Sequence, residues 1–327
     1  MGKKTILVAL GGNAILQPKQ EATFQNQYEN VKTSCEFLAK LVQNGYNLVV
    51  THGNGPQVGT ILRQNEEASH VVPSMPLDVC SAESQGFIAY MMQQALFNEL
   101  KRLGIRKNVV SVVTRTEVAL DDPAFQDPDK PIGVFYTEEE AKKLSEEKNW
   151  VVKEDAGRGW RRVVPSPAPL NIVESESIVD LIKAGHIVIS CGGGGIPVVR
   201  KEDGTYEGVE AVIDKDRSGC KLAEQIQADI FVILTDVEHV YINYGKENQQ
   251  ALTDLTVDEL EAYIAEGQFS AGSMGPKIEA ARNFAKQGGT SIICALDKAD
   301  LALEGKSGTR VSVSKMANRQ DDCLAGA

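Results

Sequence analysis

The sequence predicts an α/β protein, a three-layer α/β/α sandwich with a mainly parallel central sheet. Short continuous apolar runs alternate with amphipathic helical segments along most of the 327 residues. Such runs are typical of strands that helices cover on both faces. Three of these runs stop abruptly in glycine-rich turns, as strands do where they pass into a loop or helix. Layered strand–helix units of this kind build a sandwich.

The helices and strands are inferred from apolar periodicity and from glycine stops. The helix over 24–44, for example, repeats apolar residues every three or four positions and ends before Gly45, a residue favoured just past a helix. The other predicted elements are, in order, strand 46–52, helix 57–69, helix 82–103, strand 109–114, helix 137–148, helix 175–184, strand 187–191, helix 217–228, strand 230–235, helix 256–266, helix 277–287, strand 290–296 and a last strand over 308–313.

One long segment breaks this alternation. Between Asp121 and Pro169, six of the 12 prolines surround a single charged helix. A segment of this length predicts an inserted, protruding subdomain or lid, at about 121–166. We therefore expect an N-terminal lobe over 1–200 that carries the insertion and a C-terminal lobe over 201–313. The last residues, 314–327, show no periodicity and are expected to form an irregular tail.

Composition excludes several classes of partner. The net charge of −11 argues against general binding of nucleic acid or of an anionic membrane, although a few local lysines still suffice for a small anionic substrate. No apolar run reaches the roughly 18 residues of a membrane span, and Lys3-Lys4 precedes no recognisable secretory signal. The six cysteines show no metal-binding spacing. We expect a cytoplasmic protein with reduced thiols.

The three glycine-rich turns form the first candidate site. Parallel strands bring their carboxyl ends to one edge of a sheet, where open α/β sheets bind ligands. Glycine also lets backbone N–H groups approach an anion, so a phosphorylated small molecule is the first expectation. Neither a P-loop nor a dinucleotide fingerprint is present. The turn residues are Gly11, Gly12 and Asn13; Gly53, Asn54 and Gly55; and Gly192, Gly193, Gly194 and Gly195.

Three lysines add positive charge to this picture. Lys215 lies in Asp214-Lys215-Asp216 before a helix; either an aspartate only caps the helix and Lys215 faces solvent, or an aspartate holds its ammonium group in the site. Lys277 opens another helix, whose N-terminal N–H groups suit a phosphate. Lys130 lies in a stiff turn of the inserted segment. Taken alone, each lysine is better explained as a surface residue than as a catalytic one.

A nucleotide site is expected at the end of the strongest C-terminal strand. Thr235 and Asp236 end this strand and Tyr244 follows in the loop, where an adenine and a ribose would lie against an aromatic face. A core tyrosine beside a turn explains the same spacing equally well. His52 adjoins the second glycine turn and is expected to be a structural histidine, since no partner for a catalytic pair is evident.

Several blocks of the chain together resemble the carbamate kinases of the amino-acid kinase family, over roughly residues 4 to 311. The glycine turns and Lys215-Asp216 match the broad family, whereas the Lys130 loop, the 154–160 block and the four-glycine run match carbamate kinases in particular. The matching blocks are ALGGNA (9–14), HGNGPQVG (52–59), DPDKPIG (127–133), KEDAGRGWR (153–161), VPSP (164–167), CGGGGIP (191–197), AVIDKD (211–216) and GSMGPK (272–277).

The resemblance implies an enzyme that transfers a phosphoryl group reversibly between ATP and carbamate, giving ADP and carbamoyl phosphate. It further implies Mg²⁺ bound chiefly through ATP phosphates, no assigned protein ligand to the metal, a homodimer, and ATP formation in arginine catabolism by the deiminase pathway. It places carbamate in the N-terminal lobe, on the three glycine turns, and the nucleotide in the C-terminal lobe. The implied catalytic residues are Lys130, Lys215, Asp216 and Lys277; the implied nucleotide-binding residues are Asp214, Thr235, Asp236, Tyr244, Ala271, Gly272, Ser273, Met274, Gly275 and Lys277.

These residues suit that reaction on chemical grounds. Carbamate is already an anion, so it needs no general base, and phosphoryl transfer asks mainly for positioning and charge neutralisation. Two other functions compete. A kinase of the same fold would phosphorylate an amino-acid carboxylate or a nucleoside monophosphate, but the Lys130 insertion argues against a longer acceptor. A non-catalytic nucleotide sensor would keep the glycine turns, but it would be expected to lose one of the charged residues.

Overall fold

The structure is a computed structural model that describes residues 2–155, 159–269 and 274–315. Its strands, in chain order, are β1 (Thr5–Leu10), β2 (Asn47–His52), β3 (Val109–Ser111), β4 (Arg115–Glu117), β5 (Lys130–Tyr136), β6 (Val152–Glu154), β7 (Trp160–Val164), β8 (Asn171–Ile172), β9 (Ile187–Ile189), β10 (Ile196–Arg200), β11 (Tyr206–Gly208), β12 (Ile230–Thr235), β13 (Val240–Ile242), β14 (Gln250–Leu252), β15 (Asp254–Thr256), β16 (Thr290–Ala295) and β17 (Thr309–Ser312). Its α-helices are α1 (Phe24–Gln43), α2 (Gly55–Glu67), α3 (Leu77–Arg102), α4 (Glu138–Lys148), α5 (Ser175–Lys183), α6 (Lys215–Gln225), α7 (Val257–Ala265), α8 (Met274–Lys286) and α9 (Ala299–Leu303).

One eight-stranded sheet forms the centre of the molecule. Its strand order is β15-β17-β16-β12-β1-β2-β9-β3. Every neighbouring pair is parallel except β16 and β17, which are antiparallel. The predicted α/β class with a mainly parallel central sheet is therefore confirmed.

Helices cover both faces of this sheet. Alternate residues of β1 point to opposite faces, because side chains alternate along a strand. Ile6 and Val8 belong to the core under α1 and α3, whereas Leu7 and Ala9 belong to the core under α5, α6, α7 and α8. All four side chains are fully buried. This two-sided burial explains why β1 is a continuous apolar run in the sequence.

Part of the segment that the sequence marks as an insertion forms a small sheet of its own. Strands β5, β6 and β7 make a three-stranded antiparallel sheet, and α4 begins at a capping box in which Thr137 and Glu140 bond to each other's backbone. This unit, which we call the lid (residues 130–164), packs on α2 through a small apolar core that includes Val58, Leu62 and Ile132. The lid is thereby anchored beside the second glycine turn, from which α2 starts.

The structure differs from the predicted elements mainly at their ends. Helix α3 starts at Leu77 rather than 82, directly after Pro76, and α6 starts at Lys215 rather than 217. The short strands of the second sheet, β11-β10-β4-β8, and the β13–β14 hairpin were not predicted. Of the tail, only residues 314 and 315 lie within the described residues. The division into two lobes near residue 200 stays a prediction, since the main sheet runs through both.

Candidate active site

Three neighbouring strands bring the glycine turns to one edge of the sheet. Strands β1, β2 and β9 are adjacent, and each leads into one of the turns at its carboxyl end. A Cβ on Gly53 would lie 3.4 Å from the backbone nitrogen of Gly12 and 3.4 Å from Cδ of Lys215. The first turn, the second turn and the stem of Lys215 are therefore in contact, as the sequence predicts for a common site.

The third turn packs directly against the second. A Cβ on Gly193, which has a φ of 66°, would lie 2.1 Å from Nδ2 of Asn54, so only glycine fits this close approach. The N–H groups of Gly194 and Gly195 bond to carbonyl oxygens within the turn, at 3.1 Å each. These two glycines thus shape the turn, while their predicted contact with substrate stays a prediction.

Asp214 joins the lid to the N-terminus of α6. Its Oδ1 accepts hydrogen bonds from the backbone N–H groups of Asp216 (2.9 Å) and Arg217 (3.3 Å), so it caps the helix. Its Oδ2 lies 3.2 Å from Nζ of Lys130, which the lid supplies. Burial by itself would raise the pKa of Asp214, but Lys130, Lys215 and the two backbone donors outweigh it and hold the pKa below its usual value.

Asp216 holds two lysines from two helices. Nζ of Lys215 lies 2.5 Å from Oδ1 of Asp216, and Nζ of Lys277, on α8, lies 3.1 Å from Oδ2. The Asp216 side chain is only 2% exposed, and the two lysine side chains are 13% and 12% exposed. Two cations on one buried carboxylate form a pre-positioned pair of positive charges. Of the two alternatives for this motif, the geometry agrees with the second: Asp214 caps the helix, but Lys215 does not face solvent, and Asp216 holds its ammonium group.

The expected nucleotide residues lie on several elements, and Thr235 and Asp236 lie at the end of β12. Asn13 donates from Nδ2 to Oδ2 of Asp236 at 2.6 Å, which ties the first glycine turn to the end of β12 beside Thr235. Tyr244 lies in the connection from β13 to β14 and is 68% exposed. Met274 and Gly275 begin α8. Ala271, Gly272 and Ser273 lie outside the described residues.

His52 is a buried neutral side chain. Its Nδ1 lies 3.0 Å from the carbonyl oxygen of Gly53. Because a carbonyl only accepts, Nδ1 carries the ring proton. Burial, together with the smaller effect of the charge on Lys215, lowers the pKa of His52 to about 4, although the hydrogen bond to Gly53 opposes the shift. The expectation of a structural histidine agrees with this geometry.

Two consecutive side chains of α3 support the turns, and the sequence analysis did not single them out. Ser84 accepts from Nδ2 of Asn54 at 2.8 Å, and Gln85 donates to the carbonyl oxygen of Gly192 at 3.0 Å. On α6, Ser218 donates to the carbonyl oxygen of Gly194 at 2.7 Å. The only sequence signal for these residues is a polar position on an otherwise buried helix face.

The carboxylates of the site are already occupied by cations and backbone donors. In the part of the chain that the structure describes, no group of three or more His, Cys, Asp or Glu side chains forms a metal site. A divalent ion that enters with a nucleotide is therefore expected to use phosphate oxygens and water for most of its ligands, as Mg²⁺ commonly does.

Comparison with known proteins places this chain in a family. The sequence model of the amino acid kinase family matches residues 4–295, and the chain belongs to that family. It is 54% identical over 310 residues to a carbamate kinase of Pyrococcus horikoshii, which covers 94% of this chain and 98% of the relative. A carbamate kinase of Staphylococcus haemolyticus is 52% identical over the same shares of both chains.

A solved structure agrees with this relationship. The carbamate kinase from Giardia lamblia bound to AMP-PNP superposes with a TM-score of 0.90 at 47% identity, over 95% of this chain and 98% of that one. The predicted resemblance, the fold and the assignment to a kinase family of enzymes are thereby confirmed. In the described residues, no helix is long and apolar enough to cross a membrane.

Proposed function

We propose that this protein transfers a phosphoryl group between ATP and carbamate, reversibly, giving ADP and carbamoyl phosphate. The observation that carries the proposal is the Lys215–Asp216–Lys277 cluster beside three contacting glycine turns. The identity to carbamate kinases over nearly the whole chain supports the choice of carbamate as acceptor.

The proposed transfer needs charge neutralisation and no proton acceptor. A carbamate oxygen forms a bond to the γ-phosphorus, and the bond from that phosphorus to the bridging oxygen of ADP breaks. Lys215 and Lys277 offset the charge on the transferring group and on the leaving oxygen, and Asp216 fixes where their ammonium groups lie. His52 is buried, and its pKa of about 4 keeps it neutral at neutral pH, so it is suited to support the turn rather than to move a proton.

Lys130 gives the lid a part in the same reaction. Its contact with Asp214 shows that the lid reaches the N-terminus of α6, two residues from Asp216. In the proposed complex, Lys130 turns from Asp214 to the anionic acceptor and helps to exclude water. Exclusion of water is useful because carbamoyl phosphate hydrolyses readily.

The nucleotide and its metal ion are the next part of the proposal. We propose that Asp214, Thr235, Asp236, Tyr244 and the start of α8 (Met274, Gly275 and Lys277), together with Ala271, Gly272 and Ser273 before it, bind ATP or ADP. AMP-PNP in the Giardia lamblia relative supports a nucleotide site in this fold. We propose Mg²⁺ as the accompanying ion, where it would neutralise phosphate charge. The cellular role that we propose is ATP formation in the cytoplasm at the end of arginine catabolism.

A panel of acceptors tests the choice of substrate. The purified protein is given ATP and Mg²⁺ with carbamate, with an amino-acid carboxylate, or with a nucleoside monophosphate, and release of ADP is measured. The proposal predicts release with carbamate alone. Release with a longer acceptor would favour another kinase of the family, and ATP binding without any transfer would favour a nucleotide sensor.

A homodimer is part of the proposal, and α3 supports it. Tyr90 and Phe97 are 57% and 49% exposed, and they lie on α3, which packs against β3, an edge strand of the main sheet. An exposed apolar face next to an open sheet edge is a typical interface. The stripe that α3 exposes at intervals of three or four residues is Glu83, Gly86, Tyr90, Gln94, Phe97 and Lys101.

Charge along this stripe favours a twofold arrangement. If two copies pack α3 antiparallel, Glu83 of one copy lies opposite Lys101 of the other, and the interface is self-complementary. Light scattering after size exclusion should give a dimer for the wild type and a monomer for a Tyr90→Asp/Phe97→Asp variant. Leu301→Asp, an exposed leucine on α9, is the control and should remain a dimer. A wild-type monomer would refute this part.

A further inference from the structure

A strained residue lies directly before the third glycine turn. Cys191, directly before Gly192, has a φ of 56°, in the left-handed region that side chains other than glycine rarely adopt. Cys191 is fully buried. A residue in this conformation persists when its surroundings hold it in place, and such positions concentrate at functional sites.

A buried hydrogen-bond network holds Cys191. Its N–H donates to Oγ1 of Thr114 at 2.9 Å, and its carbonyl oxygen accepts from Oγ1 of Thr51 at 2.8 Å. Thr114 and Thr51 are themselves fully buried. The network therefore fixes both sides of the strained residue, from β2 through Thr51 and from the connection between β3 and β4 through Thr114.

Gln85 of α3 completes the network. Its Oε1 accepts from the N–H of Thr114 at 2.9 Å, and its Nε2 donates to the carbonyl oxygens of Thr114 (3.1 Å) and Gly192 (3.0 Å). All the polar partners are backbone groups of fixed role, so the amide has one possible orientation. Gln85 is 4% exposed, which means that water does not replace these bonds if they are lost.

Helix α6, which carries Lys215, holds the other end of the same turn. Ser218 of α6 donates to the carbonyl oxygen of Gly194, three residues beyond Lys215. Asn54 of the second turn packs on Gly193 between these two anchors. The third glycine turn is therefore held by Gln85 of α3 and by Ser218 of α6, the helix that carries Lys215.

We propose that Gln85 is a positioning residue for the acceptor: through Thr114 and Gly192 it holds the third glycine turn where the acceptor side of the transfer site requires it. This inference rests on the proposed function. Gln85 touches no substrate in this scheme. Its loss lets Cys191 relax, displaces Gly192 and Gly193, and disturbs Asn54, whereas the nucleotide side keeps its geometry.

The chain offers a matched control for the test. Gln93 lies two turns later on α3; it also donates to a strand carbonyl oxygen, that of Val109, at 3.0 Å, and accepts from Ser111 at 3.1 Å. Gln85→Met and Gln93→Met therefore remove the same chemical group from the same helix. Only the first removes a contact with the glycine turn.

The experiment measures KM for ADP and for carbamoyl phosphate, with ATP formation as the readout. Gln85→Met should raise KM for carbamoyl phosphate by about tenfold or more, since displacement of a binding group by 1 Å can cost as much, and should leave KM for ADP within about twofold. Gln93→Met should change neither KM. A purely structural role would lower the active fraction and leave both KM values unchanged. That result, or equal shifts of both KM values, would overturn the proposal.

Two further measurements keep the test decisive. Thr114→Val removes the hydroxyl that accepts the hydrogen bond from the N–H of Cys191, and it should reproduce the Gln85→Met pattern. Thr114→Ser keeps the hydroxyl and should have wild-type KM values. This pair of variants decides the matter if Gln85→Met does not fold. If the wild type forms no ATP, the proposed function fails instead. Calorimetric binding of carbamoyl phosphate to the same variants then still tests the role of Gln85.

Discussion

Nζ of Lys277 lies 3.1 Å from Oδ2 of Asp216, and the two residues, which are 61 positions apart in sequence, lie on different helices. A second link, between Arg217 of α6 and Glu279 of α8, at 2.8 Å, joins the same two helices. The distance from Lys277 to Asp216 therefore follows from how α6 and α8 pack. Asp216 gathers positive charge from both helices onto one buried carboxylate.

Removal of the Asp216 carboxylate should cost both stability and activity. Asp216→Ala removes the buried carboxylate that two largely buried lysines contact, and we expect the free energy of unfolding to fall by about 3 kcal/mol. The rate of ATP formation should fall by about 10² or more, because the ammonium groups lose their fixed positions. Denaturant unfolding and a steady-state assay measure the two effects.

Glu224 provides the control for Asp216 on the same helix. It pairs with Lys221 at 3.1 Å, and the Lys221 side chain is 31% exposed, so Glu224→Ala leaves a less buried cation than Asp216→Ala does; it should reduce stability less and leave the rate unchanged. Equal effects of the two substitutions would show that the Lys215–Asp216–Lys277 cluster has no special role.

Loss of the Lys130 ammonium group should weaken binding of the acceptor more than binding of the nucleotide. Lys130→Ala removes one charged donor worth about 1.5 kcal/mol, and we expect KM for carbamoyl phosphate to rise about tenfold. KM for ADP should change little. Lys153→Ala removes a lysine of the same lid that pairs with Asp127 at 2.7 Å, and it should behave as wild type. If Lys153→Ala also raises KM for carbamoyl phosphate, the effect belongs to the lid in general.

The buried His52 should make stability depend on pH. Its folded-state pKa of about 4 lies below the ordinary value of 6.5, so the unfolded chain binds a proton over this range and the folded chain does not. Stability from this group is complete above about pH 6.5 and decreases as the pH falls toward 4, by a total on the order of 3 kcal/mol. His52→Gln should lack that slope in unfolding experiments at pH 4 to 7. An unchanged slope in His52→Gln would assign the effect to other groups.

Local patterns were sufficient to predict most of the fold and part of the site. Strands β1, β2 and β9 are buried on both faces, so they appear as apolar runs, and the glycine stops after them mark the edge where the site lies. Lys215 could be singled out because its partner, Asp216, is its neighbour in sequence. The boundary error at α6 has a simple cause: Asp214 is the capping residue, so the whole motif belongs to the first helical turn.

Contacts that depend on helix packing could not be predicted in this way. Ser84 and Gln85 are polar positions on α3, and periodicity does not say which polar positions of a helix contact a glycine turn. Nor does any local pattern reveal that Lys277 reaches Asp216. The second sheet was missed because its strands have two to five residues, too few for an alternation to be recognised.

The most direct test of the central claim compares ATP formation from ADP and carbamoyl phosphate in three proteins. We expect that the wild type forms ATP and that Lys215→Ala does so about 10²- to 10³-fold more slowly. Lys221→Ala, which removes a 31% exposed lysine of the same helix, should match the wild type. A folded Lys215→Ala protein that forms ATP at the wild-type rate would contradict the account.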